Sequence, residues 1–318
     1  PLPTAPRTQN LTTVTDAIVD SVIYDNVTKR ATGVKIIDAN TKDYRQYFGR
    51  TIFLCASTLG STQIMLNSIS ESFPNGIANS SGTLGHYLMD HIFMSGAIGE
   101  HPGFQKNYYS GRRPNGIYIP RYRNVTEKDD RFLRGYGFQR GVSRPNWRRG
   151  SNMQGIGLEL KEKLRGPGSW QFHLGGFGEM LPDKRNRVLL DKNKQDQWGI
   201  PLLNIECELH DNEFKMLDAM SDDAAAMLSA AGIINIQKYN EAAPPGLAIH
   251  EMGTARMGHN PSSSVLNKFN QTHDVSNLFV TDGSAMTSSA CQNPSLTYMA
   301  LTARASAYAV QLLKEGTI

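Results

Sequence analysis

The stretch "HEMGTARMG" at 250–258 holds one imidazole, His250, in a segment punctuated by Gly253 and Gly258 and too broken to be a helix. An imidazole titrates near ~6.5, so a histidine held on such a turn can take the proton of a substrate hydroxyl at neutral pH. Further along, "LFVTDG" at 278–283 supplies an apolar strand that ends in an acid, Asp282, and a glycine, Gly283, where a bulky ligand can approach the backbone. "NPSLT" at 293–297 then opens the clearest helix of the chain. A helix start carries about half a positive charge and free N–H groups, so whatever lies against it is anionic or becomes so. A base, a close-approach turn and a helix end together suit the oxidation of an alcohol. The base takes the hydroxyl proton, and the hydride goes to an acceptor ring, such as a flavin, that gains negative charge.

Other chemistries lack their parts. His250-Glu251 begins like the zinc-protease motif HExxH, but position 254 is Thr. His86 and His91 are five apart, the wrong interval for two ligands on one helical face, so no metal site is expected. His91, with no acid or base role left for it to fill, is expected to be structural. No GxSxG elbow supplies a nucleophile for acyl transfer. Cys55, Cys207 and Cys291 are too scattered and too few for a disulfide framework and are expected to be buried free thiols. The net charge of +4 on 318 residues specifies no partner, and no apolar run reaches the ~18 residues of a membrane span.

The positioning elements are legible from period and punctuation. "DAIVDSVIYDN" at 16–26 and "ATGVKIIDAN" at 31–40 read as an antiparallel strand pair, and "RTIFLCAS" at 50–57 as a buried strand delivering into a helix. "GIYIPRYR" and "SWQFHLGGFGEML" are strand candidates in a middle region rich in Gly, Arg and aromatics. A helix is expected over 211–231, with Asp211 as cap and Gly232 as stop. The last helix should take Asn293 as N-cap, Pro294 at its first turn, Lys314 in its last turn and Gly316 beyond it.

Several ordered blocks resemble the glucose–methanol–choline (GMC) oxidoreductases, FAD enzymes that oxidise alcohols and sugars. "RTIFLCASTLGSTQIMLNS" is similar to the family's second signature, although Thr62 stands where proline is usual and Ile69 where glycine is. "GHYLMDH", "HEMGTARMG" and "LFVTDGSAM…NPSLTYMALTARAS" are similar to three further blocks, while about 100–240 match only loosely. The resemblance implies His250 as catalytic base and Asn293 as its partner. It puts Asp282 and Gly283 at the flavin phosphates and ribityl chain, and Asn293, Pro294 and Ser295 at the isoalloxazine. Val19 would present backbone to the adenine, and Ala56 with Ser57 would line the dinucleotide.

The family's amino-terminal Gly-x-Gly-x-x-Gly loop, which cradles the FAD pyrophosphate, has no counterpart here. The expectation is therefore an α/β protein: a partial FAD-binding domain over 1–85 and 276–318, lacking the amino-terminal dinucleotide unit, and an α+β substrate domain over 86–275 with a mainly antiparallel sheet. The chain would be the carboxy-terminal portion of a longer enzyme, inactive by itself and binding FAD weakly or not at all. The substrate would be an alcohol, with a sugar secondary hydroxyl favoured, and the electron acceptor is unspecified. Two rivals are a nicotinamide dehydrogenase, for which no second nucleotide fingerprint exists, and a non-catalytic carbohydrate-binding module built on the aromatics of 108–147. The Arg-rich stretch 112–149 would suit nucleic-acid phosphates, but no recognition motif accompanies it, so no nucleic-acid partner is expected.

Overall fold

The computed structural model describes residues 4–107 and 116–318. Strands β1 (Ala17–Asp25) and β2 (Arg30–Asp38) pair antiparallel, Ile18 facing Ile37 and Val22 facing Val34. Asp25 closes their turn by accepting from Val27 N and Thr28 Oγ1, both at 2.8 Å. An exposed third strand, β3 (Tyr44–Phe48), adds to β2 in the order β1-β2-β3. The buried strand at 50–57 shortens to β4 (Ile52–Leu54) and feeds helix α1 (Ser57–Asn67).

The middle of the chain builds one antiparallel sheet from β5 (His91–Ile92), β6 (Ser95–His101), β7 (Gly116–Ile119), β8 (Tyr136–Ser143) and β9 (Trp170–Glu179). The connection from β8 to β9 carries the short helix α2 (Gly157–Leu164). A hairpin, β10 (Arg187–Gln195) with β11 (Pro201–Glu206), leads into helix α3 (Asp211–Ala230) and the edge strand β12 (Ile234–Asn240). The order is β12-β6-β9-β8-β7, with β5 also on β9, and α3 packs across β6, β9 and β12. Glycines set that packing distance. A Cβ on Gly176 would lie 2.5 Å from Met220 Sδ, and one on Gly178 2.3 Å from Met220 Cε. The glycines of "HLGGFGEML" therefore let Met216 and Met220, both fully buried, reach the sheet.

Strand β13 (Leu278–Val280) lies parallel to β4, Leu278 opposite Ile52, and the chain ends in helix α4 (Ser295–Glu315). One core gathers Val22, Leu54, Met65, Ile77, Leu278 and Val280, together with Ala255, Val265, Leu266 and Val275. A second gathers Met89, Ile92, Tyr136, Phe138, Met216 and Met220. Among the described residues no helix is long and apolar enough to cross a membrane.

Three details depart from expectation. Helix α3 is capped at His210 rather than Asp211, because Glu213 reaches back to accept from His210 N at 3.0 Å and also from Leu181 N at 3.0 Å. The three thiols are free, but only Cys291 is buried; Cys207 is half-buried and Cys55 exposed. The Arg-rich and aromatic stretch begins in 108–115, outside the described residues, and much of the remainder is structural. Asp223 of α3 accepts from Arg123 Nε at 2.8 Å, from Tyr136 Oη at 2.6 Å and from Tyr122 Oη. Burial pushes the Asp223 carboxyl up, but these three donors outweigh it and hold it below the ordinary range. Arg121 pairs with Glu179 at 3.3 Å, while Tyr118 and Trp147 stay exposed.

Candidate active site

The parallel pair β4–β13 ends in two adjacent turns, and in open α/β sheets ligands bind beyond such carboxyl ends. Ser57, at φ 63°, turns the first into α1. The second is the 3₁₀ turn Gly283–Ala285, capped by Asp282, whose Oδ1 accepts from Ser284 N at 3.0 Å and Ser284 Oγ at 2.6 Å. Its other oxygen accepts from Ser61 Oγ of α1. A Cβ on Gly283 would stand 2.5 Å from Thr58 Oγ1, 2.6 Å from Glu251 O and 2.9 Å from Tyr298 Oη. Only glycine lets these elements meet there.

The segment carrying His250 is laced on both sides. Met252 exchanges backbone bonds with Met89 at 2.8 and 2.9 Å, while Gly253, Ala255 and Met257 donate to Gly283, Ser284 and Ala285 at 3.1, 2.8 and 3.0 Å. Gly253, at φ 99°, would place a Cβ 2.2 Å from Tyr87 O, which explains the glycine three residues after the imidazole.

The strongest tether is Asp90, only 2% exposed. Its Oδ1 accepts from His91 N at 2.7 Å and His250 N at 3.1 Å. Its Oδ2 accepts from Gly246 N at 2.8 Å and Ala248 N at 3.2 Å. Four N–H groups thus converge on one buried carboxylate and fix the backbone on which the imidazole rides.

Beside it, His91 Nδ1 lies 2.8 Å from His250 Nδ1, the rings nearly perpendicular at 88°. His91 was expected to be structural, and its ring lies against the candidate base. Burial first, and the neighbouring His250 second, lower its pKa to about 4, so it is neutral at ordinary pH.

A cleft of about 270 Å³ is lined by Ser57, Thr58, His250, Asp282 and Gly283, and by Pro294, Ser295 and Tyr298 from the start of α4. Tyr298 Oη is buried there with no hydrogen-bond partner among the described residues. Burial, then the charges of Asp282, Glu251 and Asp90, push its hydroxyl above the ordinary tyrosine range, so it stays a donor. The structure therefore brings His250, Ser57, Asp282, Gly283, Pro294 and Ser295 to one place.

Three expected residues are not on that lining. Val19 packs half-buried against the first core. Ala56 caps α1 and donates its N–H to Ser61 Oγ at 3.1 Å. Asn293 is not the N-cap of α4, because the helix starts one residue later, with Pro294 in the cap position and no side-chain cap bond. Freed from capping, Asn293 Oδ1 accepts a long bond from Gln139 Nε2 of β8 at 3.4 Å. Asp90, Tyr298 and Gln139 were not anticipated. The only signal for Asp90 was its place before His91 in "LMDH".

Comparison with known proteins now bears on this arrangement. The family profiles described as GMC oxidoreductase match residues 2–93 and residues 182–302. The chain is 33% identical over 88% of its length to 2-methyl-1,2-propanediol dehydrogenase of Mycolicibacterium austroafricanum, covering 51% of that protein. The chain belongs to the GMC oxidoreductases. It is also 27% identical, over 94% of its length and 54% of the relative, to the fructose dehydrogenase large subunit of Gluconobacter japonicus. The chain thus spans about half the length of these curated GMC relatives. Among solved folds, pyridoxine 4-oxidase from Mesorbium loti superposes with a TM-score of 0.54 at 16% identity, over 95% of this chain and 58% of that one. An Aspergillus oryzae formate oxidase superposes at 0.61 and 14% identity, over 96% and 62%.

Proposed function

We propose that this GMC chain carries the substrate-oxidising half of an FAD-dependent alcohol oxidoreductase, with a sugar secondary hydroxyl as the favoured group. The observation that carries the reading is that His250 and the start of α4 line one cleft. The residues present suit a flavin. Gly283 lets α1, the His250 segment and Tyr298 close up at the cleft wall, Tyr298 Oη is a buried donor unpartnered among the described residues, and the first-turn N–H groups of α4 lack intrahelical acceptors. Gly283, Pro294, Ser295 and Ser57 would hold the ring and ribityl chain. When bound, FAD supplies the hydride acceptor.

The chain's own residues do the rest. His250 takes the hydroxyl proton, held in place through the Asp90 backbone clamp. Asn293, uncommitted to capping and bonded by Gln139 at its Oδ1, would donate from its Nδ2 to the developing alkoxide. The cofactor side would comprise 1–85 and 276–318 with 255–275 packed on it, and the substrate side the remainder of 86–275. Among the described residues, 17–48 form the antiparallel sheet β1-β2-β3 and no glycine loop opens a helix within 4–56, so the isolated chain should take up FAD weakly in a flavin-fluorescence titration.

A positioned base contributes about 10²–10⁴-fold to rate. His250→Ala in the complete enzyme should slow anaerobic flavin reduction by that factor with flavin content unchanged. Reduction at a near-normal rate would refute the base assignment.

A further inference from the structure

Nδ1 of His91 and Nδ1 of His250 are 2.8 Å apart, and a hydrogen bond between two imidazole nitrogens needs one proton between them. Two arrangements satisfy that distance. In the first, His91 carries its proton on Nδ1 and donates it. His250 then holds its own proton on Nε2 and has no free nitrogen to act as a base. In the second, His250 Nδ1–H donates to a bare Nδ1 on His91. His250 Nε2 is then a lone pair, and His91 carries its proton on Nε2.

The base assignment discriminates between them. His91 is 3% exposed, and its Nε2 is buried with no hydrogen-bond partner among the described residues. Only the second arrangement leaves His250 a nitrogen free to act as a base, so it is the one that assignment requires. Nor can His91 escape by becoming an imidazolium, since its lowered pKa, about 4, keeps it neutral through the working range.

We propose that His91 is a positioning residue that holds the proton of His250 on Nδ1 and so leaves Nε2 as the basic nitrogen. The role is that of an orienting partner that selects a tautomer, filled here by a neutral imidazole in place of the usual carboxylate or carbonyl. Asp90, whose oxygens are taken by four backbone N–H groups, fixes the backbone instead. The proposal rests on His250 being the base.

The test reads the tautomer directly. ¹⁵N-imidazole correlation spectra of the chain above neutral pH, with His250 assigned by loss of its peaks in His250→Ala, should show the proton on Nδ1. In His91→Asn, whose side-chain oxygen can still accept from Nδ1–H, that tautomer should persist. In His91→Phe, which has no acceptor, it should give way to Nε2–H or a mixture. In the complete enzyme His91→Phe should slow flavin reduction by about 10- to 100-fold, the range seen when a metal-bound histidine loses its orienting partner. The Michaelis constant should stay within about threefold, and His91→Asn should recover most of the rate.

A proton on His250 Nε2 in the unmodified chain overturns the proposal even if neither variant folds, and so does an unchanged tautomer in His91→Phe. The two readings fail separately. Normal turnover by His250→Ala removes the base, whereas an Nε2–H tautomer in a protein whose His250→Ala variant is inactive removes only the role of His91.

Discussion

Replacing Asp90 by Asn tests the clamp beneath the candidate base. The carboxylate is buried and takes four backbone N–H bonds of 2.7 to 3.2 Å, two on each oxygen. Asparagine keeps one oxygen and sets an NH₂ group against the other two donors. Two charge-assisted bonds are lost, and two N–H groups face a donor. At about 1.5–3 kcal/mol for each bond to a charged group, the loss is about 3–6 kcal/mol, a large share of the ~5–15 kcal/mol of a typical domain. Urea unfolding of Asp90→Asn should show that loss as a lower midpoint at unchanged slope. If the opening is local, the amides of Gly246 and Ala248 should exchange at least about 100-fold faster, 1.4 kcal/mol being tenfold. A stability change under about 1 kcal/mol with unaltered exchange at both amides would refute the argument.

Two further predictions concern groups in or beside the cleft. His91 has an ordinary pKa near ~6.5 when unfolded and about 4 when folded, so between those values the unfolded chain binds the proton that the folded chain refuses. Stability should therefore fall as pH drops from about 6.5 to about 4, by about 3 kcal/mol at 1.36 kcal/mol per pH unit. Denaturant titrations should show His91→Asn flattening that slope; an identical slope would mean that His91 is protonated in the fold. Tyr298→Phe deletes a buried hydroxyl that has no partner among the described residues. The isolated chain should keep its thermal midpoint or gain up to about 1 kcal/mol, and a loss of more than that would show that the hydroxyl is already bonded.

What the sequence determined was local. The β1–β2 hairpin, the strand into α1 and the end of α4 at Gly316, at φ 69°, follow from alternation, apolar runs and a residue suited to a left-handed cap. His250 was legible as a candidate base through the flanking blocks that resemble the GMC family, since a lone histidine on a turn is more often structural, and Gly283 because an acid-glycine pair ends an apolar strand.

Tertiary structure decided what surrounds them. Asp90 meets the amides of Gly246, Ala248 and His250 across more than 150 positions, and no periodicity marks a carboxylate whose partners are backbone groups brought in by a distant loop. The start of α4 shifted by one residue, with proline in the cap position, which turned Asn293 from a helix cap toward Gln139 of β8. His91 looked idle because a role for it exists only when a second imidazole is placed 2.8 Å away. Side-chain type and near neighbours set the shape of each element and the reactivity of each group. Contacts between groups depend on how the two cores dock, which no single stretch of residues encodes.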